Sequence, residues 1–211
     1  MVYTEPTKII CVGRNYAQHA KELNNAVPDE PMFFLKPPSS VIHDGQDIVL
    51  PRGAGRVDFE AELGVVIADR VRGVSEAGAM EHVLGYLVCN DVTARDLQEK
   101  AKRTGYPWSV SKGFDTFFPI SPIRMAADAG DPSALDIELR LNGELKQKGN
   151  TSGMIFPILR LISAASSFMT LERGDVIATG TPAGISQLHA GDRVEITVES
   201  VGSLTNGVVE G

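Results

Sequence analysis

Two near-continuous apolar runs, ELGVVIA at 62–68 and HVLGYLVCNDV at 82–92, constrain the fold more than any other feature of this chain. Both read as strands of a hydrophobic core, yet both meet carboxylates at one end. The first is entered through Asp58, Glu60 and Glu62, and the second closes on Asn90 and Asp91. Alternation sets Phe59, Ala61, Leu63, Val65 and Ile67 on one face and the three acids on the other, with Glu60 and Glu62 about 6.5–7 Å apart along the strand. An isolated E-x-E is ordinarily a solvated edge. Acids at the ends of two core strands instead repel one another unless positive charge lies between them.

Glu60, Glu62 and Asp91 have no His or Cys beside them in sequence, so they suit a hard divalent cation, Mg²⁺ or Mn²⁺, and disfavour zinc. With one oxygen from each, about three positions of an octahedral shell remain for water and a chelating substrate, as a Lewis-acid site requires.

The rest of the chain reads as strands broken by short helices. KIICVG (8–13), MFFLK (32–36), DIVLP (47–51), DVIATG (175–180), RVEITVES (193–200) and SLTNGVVE (203–210) are strand-like, and LDIELRLNGELKQ (135–147) folds back at Asn142-Gly143. Helices are expected over 15–23, 74–83, 156–171 and, with Thr93 as N-cap, 93–105. Strands outnumber helices and strict β-α alternation is absent, so a strand-dominated α+β fold is favoured over a doubly wound sheet.

The 211 residues suit one domain, and no apolar run approaches a transmembrane span. Net charge is −7, without a basic stripe, which argues against a nucleic-acid partner. The N-terminal residues lack a secretory pattern, so a cytoplasmic protein is expected. Cys11 and Cys89 lie in apolar runs as buried thiols.

The segments GRNYAQHAKEL (13–23), FFLKPPSSV (33–41), FEAELGVVI (59–67), GYLVCNDVTARDLQ (85–98), SKGFDTFFPISP (111–122), LNGELKQ (141–147) and IATGTPAGI (177–185) together resemble the fumarylacetoacetate hydrolase family, in particular its small acylpyruvate hydrolases and oxaloacetate decarboxylases. The resemblance implies a mixed β-roll of layered sheets with short peripheral helices, a single catalytic domain over 1–211 with 13–31 as a lid segment, and a homodimer. It makes Glu60, Glu62 and Asp91 the metal ligands and leaves Asp58 without a family role, so Asp58 is expected either to be solvated, the favoured reading, or to stand behind the ligands and support them.

The resemblance also places Lys112 and Gln98 in the active site, and gives the Thr181 hydroxyl and adjacent N–H groups, including Gly180, the carboxylate of an α-keto acid substrate. His19 and Glu22, one helical turn apart, become a general-base pair. Arg14, Phe33 and Phe34 are candidates for reading the rest of the substrate. The implied activity is hydrolysis of a 3-acylpyruvate, of acylpyruvate or fumarylpyruvate type, to pyruvate and a carboxylic acid. Decarboxylation of oxaloacetate or a related β-keto diacid, or its tautomerisation, would use the same enolate; a non-catalytic metal-binding protein is the remaining alternative.

Overall fold

The computed structural model describes residues 2–23 and 26–211. Its strands are β1 (Ile9–Gly13), β2 (Met32–Lys36), β3 (Val41–His43), β4 (Ile48–Leu50), β5 (Val57–Asp58), β6 (Ala61–Ile67), β7 (Val83–Asn90) and β8 (Thr93–Ala94) in the first half of the chain. In the second half follow β9 (Phe118–Ile120), β10 (Arg124–Met125), β11 (Asp136–Leu141), β12 (Glu144–Asn150), β13 (Val176–Ala178), β14 (Arg193–Val198) and β15 (Gly202–Glu210). The helices are short: α1 (Ala17–Glu22), α2 (Arg95–Thr104), α3 (Ser109–Lys112) and α4 (Ile158–Phe168).

The two apolar runs become β6 and β7, antiparallel neighbours in the middle of a mixed sheet ordered β2-β1-β13-β6-β7-β9-β3, with β10 added alongside β7. Every residue of β6 is buried. The register pairs Ala61 with Asn90 and Glu62 with Cys89, so the acidic entrance to β6 lies beside the acidic exit from β7. A five-stranded sheet, β12-β11-β14-β15-β4, supplies Ile137, Leu139, Ile196 and Leu204 to a core shared with Leu63, Val65 and Val88 of the first. The opposite face of the large sheet buries a smaller cluster that includes Cys11 and Cys89, both free thiols. This is the strand-dominated, layered fold expected from the sequence.

Several local expectations are corrected. Segment 74–83 forms a 3-10 helix over Glu76–His82 rather than an α-helix. Thr93 does not cap α2: it lies in β8, opposite Asp58 of β5, its hydroxyl donates to the Asp91 carbonyl, and the helix begins at Arg95. The carboxylate-bearing strand is broken at Phe59 and Glu60 between β5 and β6. The Asn142-Gly143 turn is as expected, with both residues at positive φ, 54° and 83°, in the manner of a type I′ hairpin. No helix among the described residues is long and apolar enough to cross a membrane.

Candidate functional site

The β6–β7 register and the chain reversal after β7 bring one oxygen each of Glu60, Glu62 and Asp91 within 4.8 Å of one another, all three residues buried. The backbone locks this meeting, because the Asp91 N–H donates to the Glu60 carbonyl at 2.8 Å. Three buried carboxylates this close demand compensation, and two of them receive it. Lys112 Nζ donates to Glu60 Oε2 at 2.9 Å and to Asp91 Oδ2 at 2.6 Å. Lys36, buried at the end of β2, donates to Asp91 Oδ1 at 2.7 Å and to the Val92 carbonyl at 3.0 Å. Arg95 Nη2 donates to Glu60 Oε1 at 2.6 Å.

Among the described residues, Glu62 receives only the Gly180 N–H, at 2.7 Å on Oε2. The titration behaviour follows this division. Burial raises Glu60, but Lys112 and Arg95 outweigh it and hold its carboxyl below the ordinary range. Burial, Asp91 and Glu60 together push Glu62 well above that range. The lysines divide likewise: Asp91 and Glu60 overcome burial and raise Lys112, whereas burial prevails at Lys36 and lowers it. Glu62 is therefore the least compensated of the three carboxylates, with the Gly180 N–H and the charge of Lys112 outweighed by burial and its acidic neighbours. An all-oxygen donor set with one unneutralised acid fits a hard divalent cation.

Asp58 is not solvated, as the sequence suggested, but completely buried. It accepts from Arg95 Nε at 2.9 Å and from Arg56 Nε at 2.7 Å. Arg95 thus spans Asp58 and Glu60, and its Nη1 donates to Gln98 Oε1 at 2.7 Å. Gln98, in the first turn of α2, has its amide NH₂ left to donate among the described residues. Arg95 and Lys36 were not singled out from the sequence, although both stand inside segments that carried the resemblance. Their signal is a cation at the edge of an apolar strand or just beyond an acid, which has meaning only once the pairing of β5 with β8 is known.

The turn after β13 closes another wall. The Thr181 hydroxyl donates to the Ala61 carbonyl at 2.8 Å and accepts from Gln147 Nε2 at 2.8 Å. Gln147, also not anticipated, accepts from the Ala61 N–H as well and is buried. Gly180 needs its φ of 99° and its missing side chain, because a Cβ there would come within 2.7 Å of Asn15. His19 on α1 is buried, with Nδ1 3.1 Å from Glu22 Oε2. Glu22 Oε1 accepts from Gly184 N–H at 3.0 Å. Burial raises Glu22, yet these hydrogen bonds prevail and leave it below its ordinary value, so an ionised carboxylate orients the imidazole.

A narrow cleft is lined by His19, Glu60, Glu62, Asp91, Gln98, Lys112, Thr181 and Arg14 among others. Phe34 is also in its wall, whereas Phe33 packs against Phe168 with ring centroids 5.5 Å apart and does not reach it. Of the 13–31 segment, Asn24 and Asn25 lie outside the described residues.

A layered β-fold that gathers three buried carboxylates, a buried lysine and an oriented histidine around one cleft defines a class of carboxylate sites able to hold a metal ion. Residues 8–209 match the family model described as fumarylacetoacetate (FAA) hydrolase C-terminal, and the chain belongs to this family. It is 49% identical to the Arabidopsis thaliana oxaloacetate tautomerase FAHD1, mitochondrial, over 92% of this chain and 86% of that protein. With the human protein of the same name it shares 44% over 93% of this chain and 89% of the relative. The fumarylpyruvate hydrolase of Pseudomonas aeruginosa, solved with Mn²⁺ and pyruvate, superposes with a TM-score of 0.95 at 33% identity, covering 99% of this chain and 91% of that one.

Proposed function

We propose that the protein is a divalent-metal-dependent enzyme that enolises a 2-oxo acid bearing a second carbonyl or carboxyl group, with oxaloacetate tautomerisation as its reaction. The observation that carries the proposal is His19, buried, held at Nδ1 by the more exposed Glu22 and facing the same cleft as the three carboxylates and Lys112. Similarity to oxaloacetate tautomerases at 44–49% identity supports enolisation over the cleavage expected from the sequence. A Mg²⁺ or Mn²⁺ ion held by Glu60, Glu62 and Asp91 would polarise the 2-oxo group and strengthen the acidity of the neighbouring CH₂.

The remaining work falls to the chain's own groups. With Nδ1–H held by Glu22, the His19 imidazole presents Nε2 as the base for the C3 proton and returns it on reversal. Lys112, kept protonated by Glu60 and Asp91, donates toward the oxyanion that develops on the 2-oxo oxygen. The amide NH₂ of Gln98 is the uncharged donor left for the same end of the substrate.

Hydrolysis of a 3-acylpyruvate is the second reading, favoured by the likeness to the pyruvate-bearing hydrolase. It needs His19 to activate water rather than take a carbon-bound proton. The test is keto–enol equilibration of oxaloacetate, followed by loss of enol absorbance, beside cleavage of acetylpyruvate and fumarylpyruvate. Metal-dependent equilibration that falls by about 10²–10⁴ in His19→Ala is expected. Rapid cleavage of an acylpyruvate with no acceleration of oxaloacetate equilibration would reverse the order of the two readings.

A further inference from the structure

Most cations around the cleft are consumed by the acids they neutralise; two are not. Lys112 and Arg95 are ion-paired with Glu60, Asp91 and Asp58. Arg14 and Lys102 line the same cleft, and among the described residues neither forms an ion pair with a carboxylate. Arg14 Nε is buried without a hydrogen-bond partner.

The position of Arg14 is prepared by the fold. It has a φ of 69°, an uncommon left-handed conformation for a residue with a side chain. The next residue, Asn15, is buried and pins the turn by accepting from Phe156 N–H at 2.7 Å and donating to the Phe156 and Thr179 carbonyls at 3.0 and 2.8 Å. A strained turn fixed this firmly, presenting an unpartnered guanidinium nitrogen, is a positioned cation rather than a wandering surface arginine.

Lys102 reaches the cleft by helix periodicity: Arg95, Gln98 and Lys102 share one face of α2. Its ammonium lies 5.6 Å from the Trp108 ring centroid, and Trp108 meets Phe34 at 5.4 Å between centroids. Lys112 lies 4.8 Å from the Phe34 centroid at the inner end of the same wall. The cleft therefore has an aromatic strip with a cation at each end, and the inner end adjoins the carboxylate triad.

We propose that Arg14 and Lys102 form a subsite for the second carboxylate of a 2-oxo dicarboxylate, making the enzyme selective for dianionic over monoanionic 2-oxo acids. The proposal rests on the 2-oxo acid reading above, which places the 2-oxo end of the substrate at the triad. The free cations then meet the far end, and a site built for a neutral acyl tail would leave Arg14 Nε without a partner in the complex too.

The test is calorimetric binding of 2-oxoglutarate and 2-oxopentanoate, equal in chain length and different only in the terminal carboxylate, to the Mn²⁺-loaded protein. Wild type is expected to prefer the dicarboxylate by about tenfold or more, and Arg14→Gln or Lys102→Met each to lose about tenfold of that preference while changing 2-oxopentanoate affinity by less than about threefold. Lys102 stands on the exposed surface of α2, so K102M tests the subsite without disturbing the Asn15 turn. No preference in wild type, including no binding of the dicarboxylate, or an undiminished preference in Lys102→Met, overturns the subsite. A preference that persists without turnover of oxaloacetate retires the enzymatic reading and leaves the subsite; turnover without preference does the reverse.

Discussion

Asp58 and Glu62 carry the same kind of charge, lie four residues apart and are both buried, yet their substitution is expected to act in opposite directions. Asp58 accepts from two guanidinium groups. Asp58→Asn leaves buried Arg95 undercompensated, and breaking such a pair costs about 3–5 kcal/mol, with the lower end expected because Glu60 and Gln98 still hold Arg95. Urea denaturation measures the loss, and an unchanged midpoint would show that the Asp58 pairs with Arg56 and Arg95 add nothing to stability. Among the described residues Glu62 forms no ion pair, so Glu62→Gln removes repulsion: the EDTA-treated variant is expected to melt higher than wild type while losing its response to Mg²⁺ or Mn²⁺. Glu60→Gln strips a partner from both Lys112 and Arg95 and should melt lower under the same conditions.

At the scale of elements, the acids were legible because their signal is local: an apolar strand that ends in a carboxylate can be read without knowing its neighbours. Lys36, Arg95 and Gln147 were not, because each acts across a contact between distant segments, as Arg95 does through 37 residues to Asp58. The wrong one of two readings was favoured for Asp58 for the same reason, since alternation assigns a face but not what covers it. The two-residue pairing of β5 with β8 is too short to announce itself by periodicity. The turn at 180–184 shows how such contacts serve the site. Gly184 has a φ of 105°, and a Cβ there would sit 2.1 Å from the Lys146 carbonyl oxygen, while its N–H anchors Glu22 on α1. Gly184→Ala is therefore expected to displace the turn and release Glu22, lowering turnover by at least about tenfold with metal affinity changed less, because the turn touches the triad only through the Gly180 N–H on Glu62, four residues away. Equal losses in turnover and in metal affinity would show instead that the turn supports the triad as a whole.

For the whole molecule, the buried cluster ties β2, β6, the exit of β7 and the helices α2 and α3 into one electrostatic unit, so its protonation state is a term in global stability. Glu62 is raised in the folded protein, whereas an unfolded glutamate titrates near about 4.3. Between those values the folded state retains a proton that the unfolded chain releases, so this contribution is complete below the unfolded value and is lost as pH rises through the raised one. Glu60 is depressed, and its contribution is present above the unfolded value and lost as pH falls toward its own lower one. Metal-free protein is therefore expected to lose stability on the acid side through Glu60 and on the alkaline side of the carboxylate range through Glu62. A cation that takes the place of the Glu62 proton binds more tightly as pH rises, and at a hundredfold excess over its Kd contributes about 2.7 kcal/mol. Calorimetric melting in EDTA and in Mn²⁺ across about pH 5 to 8 should thus show a metal-induced shift that grows with pH in wild type and is absent at every pH in Glu62→Gln. A shift independent of pH would mean that Glu62 is already ionised in the metal-free cluster, and would require a cation near it that the Lys36, Arg95 and Lys112 contacts do not provide.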